Sequence, residues 1–267
     1  MTRGALMFAF NNEQTDYVKL AAWNAGNIRR HLNIPVAVIT DCEDSAKLSE
    51  FDQVIHCKPE SGGSRYFEDY DQSVTWYNAG RPDAWDLSPW DQTLLLDSDY
   101  VVSSNHLGMV LDRSQDFMCY RNAIDITRPA EPFLLTFGNH NFPMWWATVI
   151  MFRKTITSGF IFDSMKMIRA NWQHYRDLYG IASPTYRNDY ALSIALGIVS
   201  GHTLQVDAIP WPMPSLVPST EVKFLCHDSY EVTYRNSENK TKRMTFGGMD
   251  FHAMGKRHLE TIVESSA

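Results

Sequence analysis

A short apolar run at residues 4–10, GALMFAF, breaks off at Asn11-Asn12, and apolar or small residues then recur at Tyr17, Leu20, Ala21, Asn24 and Ile28, the spacing of one helix face. A second apolar run, IPVAVIT at 34–40, closes on Asp41, and a third short strand is expected at Gln53 to Cys57. Strands alternating with helices imply an α/β chain with a mainly parallel, doubly wound sheet. In such sheets ligands sit beyond the carboxyl ends of the strands, which here means Asn11-Asn12 and Asp41.

Further along, a helix is expected near Gln72 to Ala79, then a strand from Thr93 to Leu96, with strand-like runs at Phe117 to Tyr120 and Thr148 to Phe152. The Pro-rich, aromatic segment PAEPFLLTFGNHNFPMWW, residues 129–146, reads as a substrate-facing loop region. Helices are expected around Asp163 to Tyr179 and from Asn188 to Val199. Pro210, Pro212, Pro214 and Pro218 argue against regular helix or a central strand between them.

The apolar strand LLL runs directly into Asp97-Ser98-Asp99. In extended geometry two carboxylates at i and i+2 leave on the same face and converge. Magnesium and manganese favour oxygen ligands shared between carboxylates and substrate phosphates, so the pair is a candidate metal site; a polar turn after a buried strand is the plainer alternative. Near the C-terminus, FHAMGK brings His252, Gly255 and Lys256 together: a possible third ligand, a close backbone approach and a phosphate partner, or simply a surface stretch. Asp99→Asn is expected to abolish metal-dependent turnover and leave the fold intact, if Asp99 lies at the cleft surface. Trp145, Trp146, Trp211 and Phe142 suit either stacking on a sugar or base, or the core.

Composition narrows the partners. The 267 residues carry a net charge of −7, which argues against a surface that coats nucleic acid. From Lys223 to His258, seven Lys/Arg face four acids, a local +3 that leaves −10 for the rest; this stretch could face an anion or be a solvated surface. The four cysteines, Cys42, Cys57, Cys119 and Cys226, are too scattered for a zinc or disulfide framework and read as reduced, mostly buried thiols. No apolar run approaches the roughly 18 residues of a membrane span and no signal-like N-terminus is present, so a cytoplasmic protein without a membrane or obligate protein partner is expected.

The order of these motifs resembles the GT-A fold glycosyltransferases, particularly the glycogenin-like group. The resemblance rests on the DxD of Asp97 and Asp99 after an apolar strand and on the late His252; Lys256 departs from it, following Gly255 directly in HAMGK. It implies a single GT-A domain, a mixed, mainly parallel sheet flanked by helices, with a nucleotide-binding half at 1–102 and an acceptor-binding half at 103–267 whose C-terminal end closes the metal site. It also implies a divalent cation, manganese or magnesium, held by Asp97, Asp99 and His252, and a UDP-sugar donor.

Ala9, Phe10, Asn11 and Asn12 would then hold base and ribose, Tyr17 would stack, and Asp41 would contact the base. Ser98 and Lys256 would meet the donor, and Arg81 the nucleotide or the first DxD acid. Asn188 and Asp189 correspond to the family's acid at a helix start, facing the donor sugar or acting as general base; a helix-capping role is the alternative. More loosely the chain is similar to small tailed-bacteriophage proteins, some of which glycosylate hydroxymethylated pyrimidines in DNA, so hydroxymethylated DNA is one expected acceptor and a glycan or protein another. Sugar nucleotidyltransferases are the nearest enzymatic rival, although FAFNNEQTD lacks their Gly-rich basic loop. A non-catalytic nucleotide-binding module is the other rival.

Overall fold

The computed structural model describes residues 1–129, 132–133, 135–203, 206–226 and 228–266. Ala130, Glu131 and Leu134 of the Pro-rich segment, and His227 of the basic stretch, lie outside the described residues. A six-stranded sheet forms the centre, in the order Gln53–His56, Val36–Thr40, Arg3–Phe8, Gln92–Leu96, Trp146–Arg153, Phe117–Tyr120. The first four strands are parallel, and Trp146–Arg153 runs antiparallel to both of its neighbours. This is the expected mixed, mainly parallel sheet flanked by helices. Its central strands read as continuous apolar runs because both faces are covered.

The helix Tyr17–Leu32 starts where Asp16 accepts the Lys19 amide at 3.0 Å and ends at Asn33, whose left-handed backbone (φ 51°) stops it. Its buried Asn24 donates to the Tyr100 carbonyl at 2.6 Å and accepts from the Val102 amide at 3.1 Å. That polar clamp ties the helix to the chain just past Asp99.

A second sheet runs in the order Pro132–Phe133, Ala123–Asp125, Met213–Leu216, Phe251–Ala253, Tyr100–Val101. Met213–Leu216 is therefore a central strand, contrary to the expectation drawn from its prolines. The reason is register: ladder bonds run from the Met213 amide to Asn122, and to the Ser215 and Leu216 carbonyls from Ile126 and Met254, so Pro214 need not donate.

One helix expectation also fails. Gln72–Thr75 is a strand, paired antiparallel with Ser64–Phe67 in a hairpin that turns at Asp71 in left-handed backbone (φ 52°). The β-branched Val74 and Thr75, followed by Trp76, fit that pleated role better than a helix. The helices expected around 163–179 are Ile156–Ala170 and Trp172–Tyr179, separated at Asn171. Asn188–Val199 is helical as read. No helix among the described residues is long and apolar enough to cross a membrane. All four cysteines are free, but only Cys119 is buried, while Cys57 and Cys226 are exposed at strand ends.

Candidate active site

All five residues of the strand Gln92–Leu96 that precedes Asp97 are buried, and the chain then turns at once: the Tyr100 amide donates back to the Asp97 carbonyl at 3.1 Å. The Asp97 and Asp99 side chains thus converge through a tight turn, and not through the alternation of an extended strand. The turn is pinned on both sides. Asp97 donates its amide to the Thr148 carbonyl at 2.9 Å, and Ala253 donates to the Asp99 carbonyl at 3.0 Å. Pairing of Tyr100–Val101 with Phe251–Ala253 sets His252 opposite Tyr100, which is how a residue 153 positions away in the chain reaches the turn.

One donor atom each from Asp97, Asp99 and His252 lie within 4.8 Å of one another. His252 Nε2 is 3.5 Å from Asp99 Oδ2. Asp99 Oδ1 is buried with no hydrogen-bond partner, as is His252 Nδ1. A buried carboxylate oxygen left without a donor is costly. Two carboxylates and an imidazole around such an oxygen form a donor set that fits a divalent cation.

The surrounding cations already offset part of this charge. Arg81, 1% exposed, donates to Asp97 Oδ1 at 2.6 Å and to the carbonyls of Leu96, Ala147 and Thr148 at 3.4, 2.7 and 3.2 Å. Of its two expected partners, Arg81 therefore meets the first acid. Lys256 donates to Asp99 Oδ2 and, at 3.3 Å, to the Ala253 carbonyl. Lys256 opens the helix Lys256–Ser266, where the dipole disfavours a cation, and Asp99 compensates. Burial alone would push Asp99 up, but Lys256 and His252 outweigh it and hold its carboxyl well below the usual range. Asp97 goes the other way, raised by burial with Asp99 adding to the effect against Arg81. Asp99 is only 6% exposed, so its expected position at the cleft surface is corrected: it is buried in an ion pair.

These groups line one cavity of about 530 Å³. Of the residues singled out in the sequence, Phe10, Asn12, Tyr17, Arg81, Asp97, Ser98, Asp99, Asn188, Asp189, His252 and Lys256 border it. Tyr17 shares this lining with the carboxylate pair, and burial first, then Asp99, pushes its hydroxyl up. Three expected residues do not border it. Ala9 is buried in the sheet, Asn11 accepts the Val18 amide at 3.0 Å at the start of the first helix, and Asp41 is exposed. Asn12 borders the cavity while its carbonyl oxygen shapes the loop, accepting from Gln14 and Thr15 at 2.9 and 2.8 Å.

On the far wall Asp189 accepts from the Ala147 amide at 3.0 Å and from Arg187 at 3.0 Å, and Asn188 donates to the Asn78 carbonyl at 2.8 Å. Asn188 and Asp189 are the first residues of their helix, whose flanking Arg187 makes no side-chain cap, and each Asp189 oxygen accepts one of these two bonds.

Sequence reading missed the hairpin. Arg65 and Tyr66 of its first arm and Glu68 of its turn, with Trp76, Tyr77 and Asn78 after its second arm, border the cavity. The aromatic interruptions RYF and WYN were the only signal available. Conversely, of the described residues in the Pro-rich segment only Trp146 reaches the cavity. Phe137 and Phe142 instead pack on each other and on Tyr179, with ring centroids 5.2–6.4 Å apart, and Trp145 is buried. Trp211 packs against His106 at 5.8 Å.

Nor does the Lys223–His258 stretch form one basic face. Lys256 is buried on Asp99, Lys240 pairs with Glu238 at 2.8 Å, and Lys223 lies cross-strand from Glu231.

No protein-family model matches the chain, and no curated protein does. Among solved structures it is similar to the glycosyltransferase GlyE of Streptococcus pneumoniae TIGR4, with a TM-score of 0.44 and 12% identity over 78% of this chain and 45% of that one. It thus spans less than half of GlyE's length. It is similar also to the galactosyltransferase LgtC, solved with donor and acceptor sugar analogues, at TM-score 0.46 and 13% identity over 72% of this chain and 70% of that one. Mouse xyloside xylosyltransferase 1 gives TM-score 0.46 and 12% identity over 84% of this chain and 88% of that one.

Proposed function

We propose that the chain transfers a sugar from a nucleotide-sugar, a UDP-sugar by the motif resemblance, to an acceptor hydroxyl. The observation that carries this reading is the convergence of Asp97, Asp99 and His252 around an unpartnered, buried Asp99 oxygen at a cavity with room for a nucleotide-sugar. In this reading those three residues hold manganese or magnesium. When bound, the cation would neutralise the diphosphate and assist its departure as a Lewis acid.

The chain's own residues do the rest. Arg81 fixes Asp97 in place through four bonds to Asp97 and three carbonyls. Lys256, poised on Asp99, supplies a second cationic side chain for the diphosphate. Phe10, Asn12 and Tyr17 offer ring faces and an amide to base and ribose, with Ser98 beside the diphosphate. Asn188 and Asp189 face the sugar. Each Asp189 oxygen has one lone pair engaged, by Ala147 or Arg187, which favours orienting sugar hydroxyls over accepting a proton.

The reading is tested by transfer of labelled sugar from a panel of nucleotide-sugars, with manganese, to neutral and charged monosaccharides, peptides and hydroxymethylated DNA. Label on any acceptor hydroxyl supports transfer and identifies the acceptor class. Formation of a nucleotide-sugar from a sugar phosphate and a nucleoside triphosphate would point to a nucleotidyltransferase instead. Nucleotide binding with neither reaction would point to a binding module.

A further inference from the structure

Four Lys/Arg side chains border the cavity, and three are matched: Arg81 by Asp97, Arg187 by Asp189 and Lys256 by Asp99. Arg65 has no carboxylate within ion-pair distance among the described residues. Glu68, the remaining acid on the lining, is exposed and forms no ion pair with Arg65. Arg65 instead lays its guanidinium 3.5 Å from the Trp76 ring centroid and donates to the Tyr186 carbonyl at 3.4 Å. Its Nε is buried with no partner, and so is the Nε of Arg187. Burial, with Arg187 beside it, pulls the Arg65 guanidinium down to about 10.

Among the described residues Asp189 is the one carboxylate paired with either arginine, so the two carry an excess positive charge with an Nε of each left over, which is costly unless something negative completes them. Arg65 joins Arg187 through the carbonyl of the preceding residue, Tyr186. Arg187 lies on the Asp189 side of the cavity, where bonds run from Asp97 to Arg81, from Arg81 to the Ala147 carbonyl, from the Ala147 amide to Asp189, and from Asp189 to Arg187. Lys256 is held by Asp99. Trp76 keeps the Arg65 fork flat, in an orientation suited to a planar or tetrahedral oxyanion.

We propose that the substrate entering on this side carries an oxyanion, a carboxylate or phosphate on the transferred sugar or on the acceptor, held by Arg65 and Arg187 together. The inference rests on the sugar-transfer reading for the identity of the substrate. Its anion site stands or falls separately.

The test measures binding first, by calorimetry on the full chain without added metal, using D-glucose, D-glucuronate and D-glucose 6-phosphate as probes. The two anionic sugars are expected to bind at least about tenfold tighter than glucose, as charge-assisted forked bonds allow. In Arg65→Gln the three should converge, and Arg65→Lys, which keeps the charge without the fork, should retain part of the preference. No preference in the native chain, or an equal preference in Arg65→Gln, overturns the inference. Turnover then assigns the source: faster use of UDP-glucuronate over UDP-glucose places the anion on the transferred sugar, and faster labelling of glucuronate over glucose places it on the acceptor. A retained binding preference with no turnover from any pair supports the anion site and contradicts the transferase reading. Turnover with no preference in either arm contradicts the anion site alone.

Discussion

Asp97 and Asp99 are two residues apart and sit in different electrostatic surroundings, so the same substitution has different consequences at each. Asp99 and Lys256 are both buried and are joined by an ion pair. Asp99→Asn removes the charge and leaves a buried ammonium, which should cost about 3 kcal/mol, read as a lower denaturant midpoint. Asp97 is paired with Arg81, but Arg81 keeps three backbone carbonyls, and an Asn oxygen at 97 can still accept. Asp97→Asn should therefore lose less than Asp99→Asn, about 1–2 kcal/mol, while losing a cation ligand. A midpoint loss at 97 equal to that at 99 would contradict this division. Asp97 is thus the better position at which to separate metal binding from folding.

At the scale of the elements, the hairpin Ser64–Phe67 and Gln72–Thr75 depends on a glycine beside it. A Cβ on Gly62 would lie 2.0 Å from Cε3 of Trp76, so Gly62→Ala must displace the ring on which Arg65 rests. The expected loss is about 1–3 kcal/mol, with a change in tryptophan emission; native emission and stability would mean that Trp76 is not held there. The second sheet is stapled by Asp250, which accepts from the Ser103 amide and the Ser104 hydroxyl at 2.8 Å each. Burial raises the Asp250 carboxyl above its usual 3.8. Its proton is held more tightly folded than unfolded, so this contribution to stability is full below about pH 4 and is lost as pH rises through the raised value. Asp250→Asn should flatten that part of the stability profile, and an unchanged profile would show that Asp250 does not titrate there. How legible each element was follows from what covers it. The strands at 3–8, 36–40, 92–96 and 117–120 are buried on both faces and read directly as apolar runs. The hairpin arms are half exposed, with polar and aromatic residues alternating irregularly, so Gln72–Thr75 passed for helix. Met213–Leu216 was hidden by Pro214, whose missing donor matters only once the register is known. Asp97, Asp99 and His252 were legible because carboxylates after an apolar strand are conspicuous, and Arg65 was not, because its partners are a ring and a carbonyl far along the chain.

Across the whole molecule, two sheets meet at the Asp97–Asp99 turn, so a ligand there contacts elements from both ends of the chain. Binding restricted to the folded state should then stabilise the entire fold. At a hundredfold excess over Kd the gain is about 2.7 kcal/mol, or a melting shift of several degrees, and manganese with a UDP-sugar should shift it further than the two shifts summed. Additive or absent shifts would argue against a shared site. The most direct measurement is release of free UDP from a UDP-sugar panel by the native chain and by Asp97→Asn, each with manganese and with chelator. The account predicts slow release by the native chain from at least one donor, abolished by chelator and reduced at least about a hundredfold in a folded Asp97→Asn, as loss of a metal's charge stabilisation requires. Release that survives chelator, or that proceeds unchanged in Asp97→Asn, would contradict it.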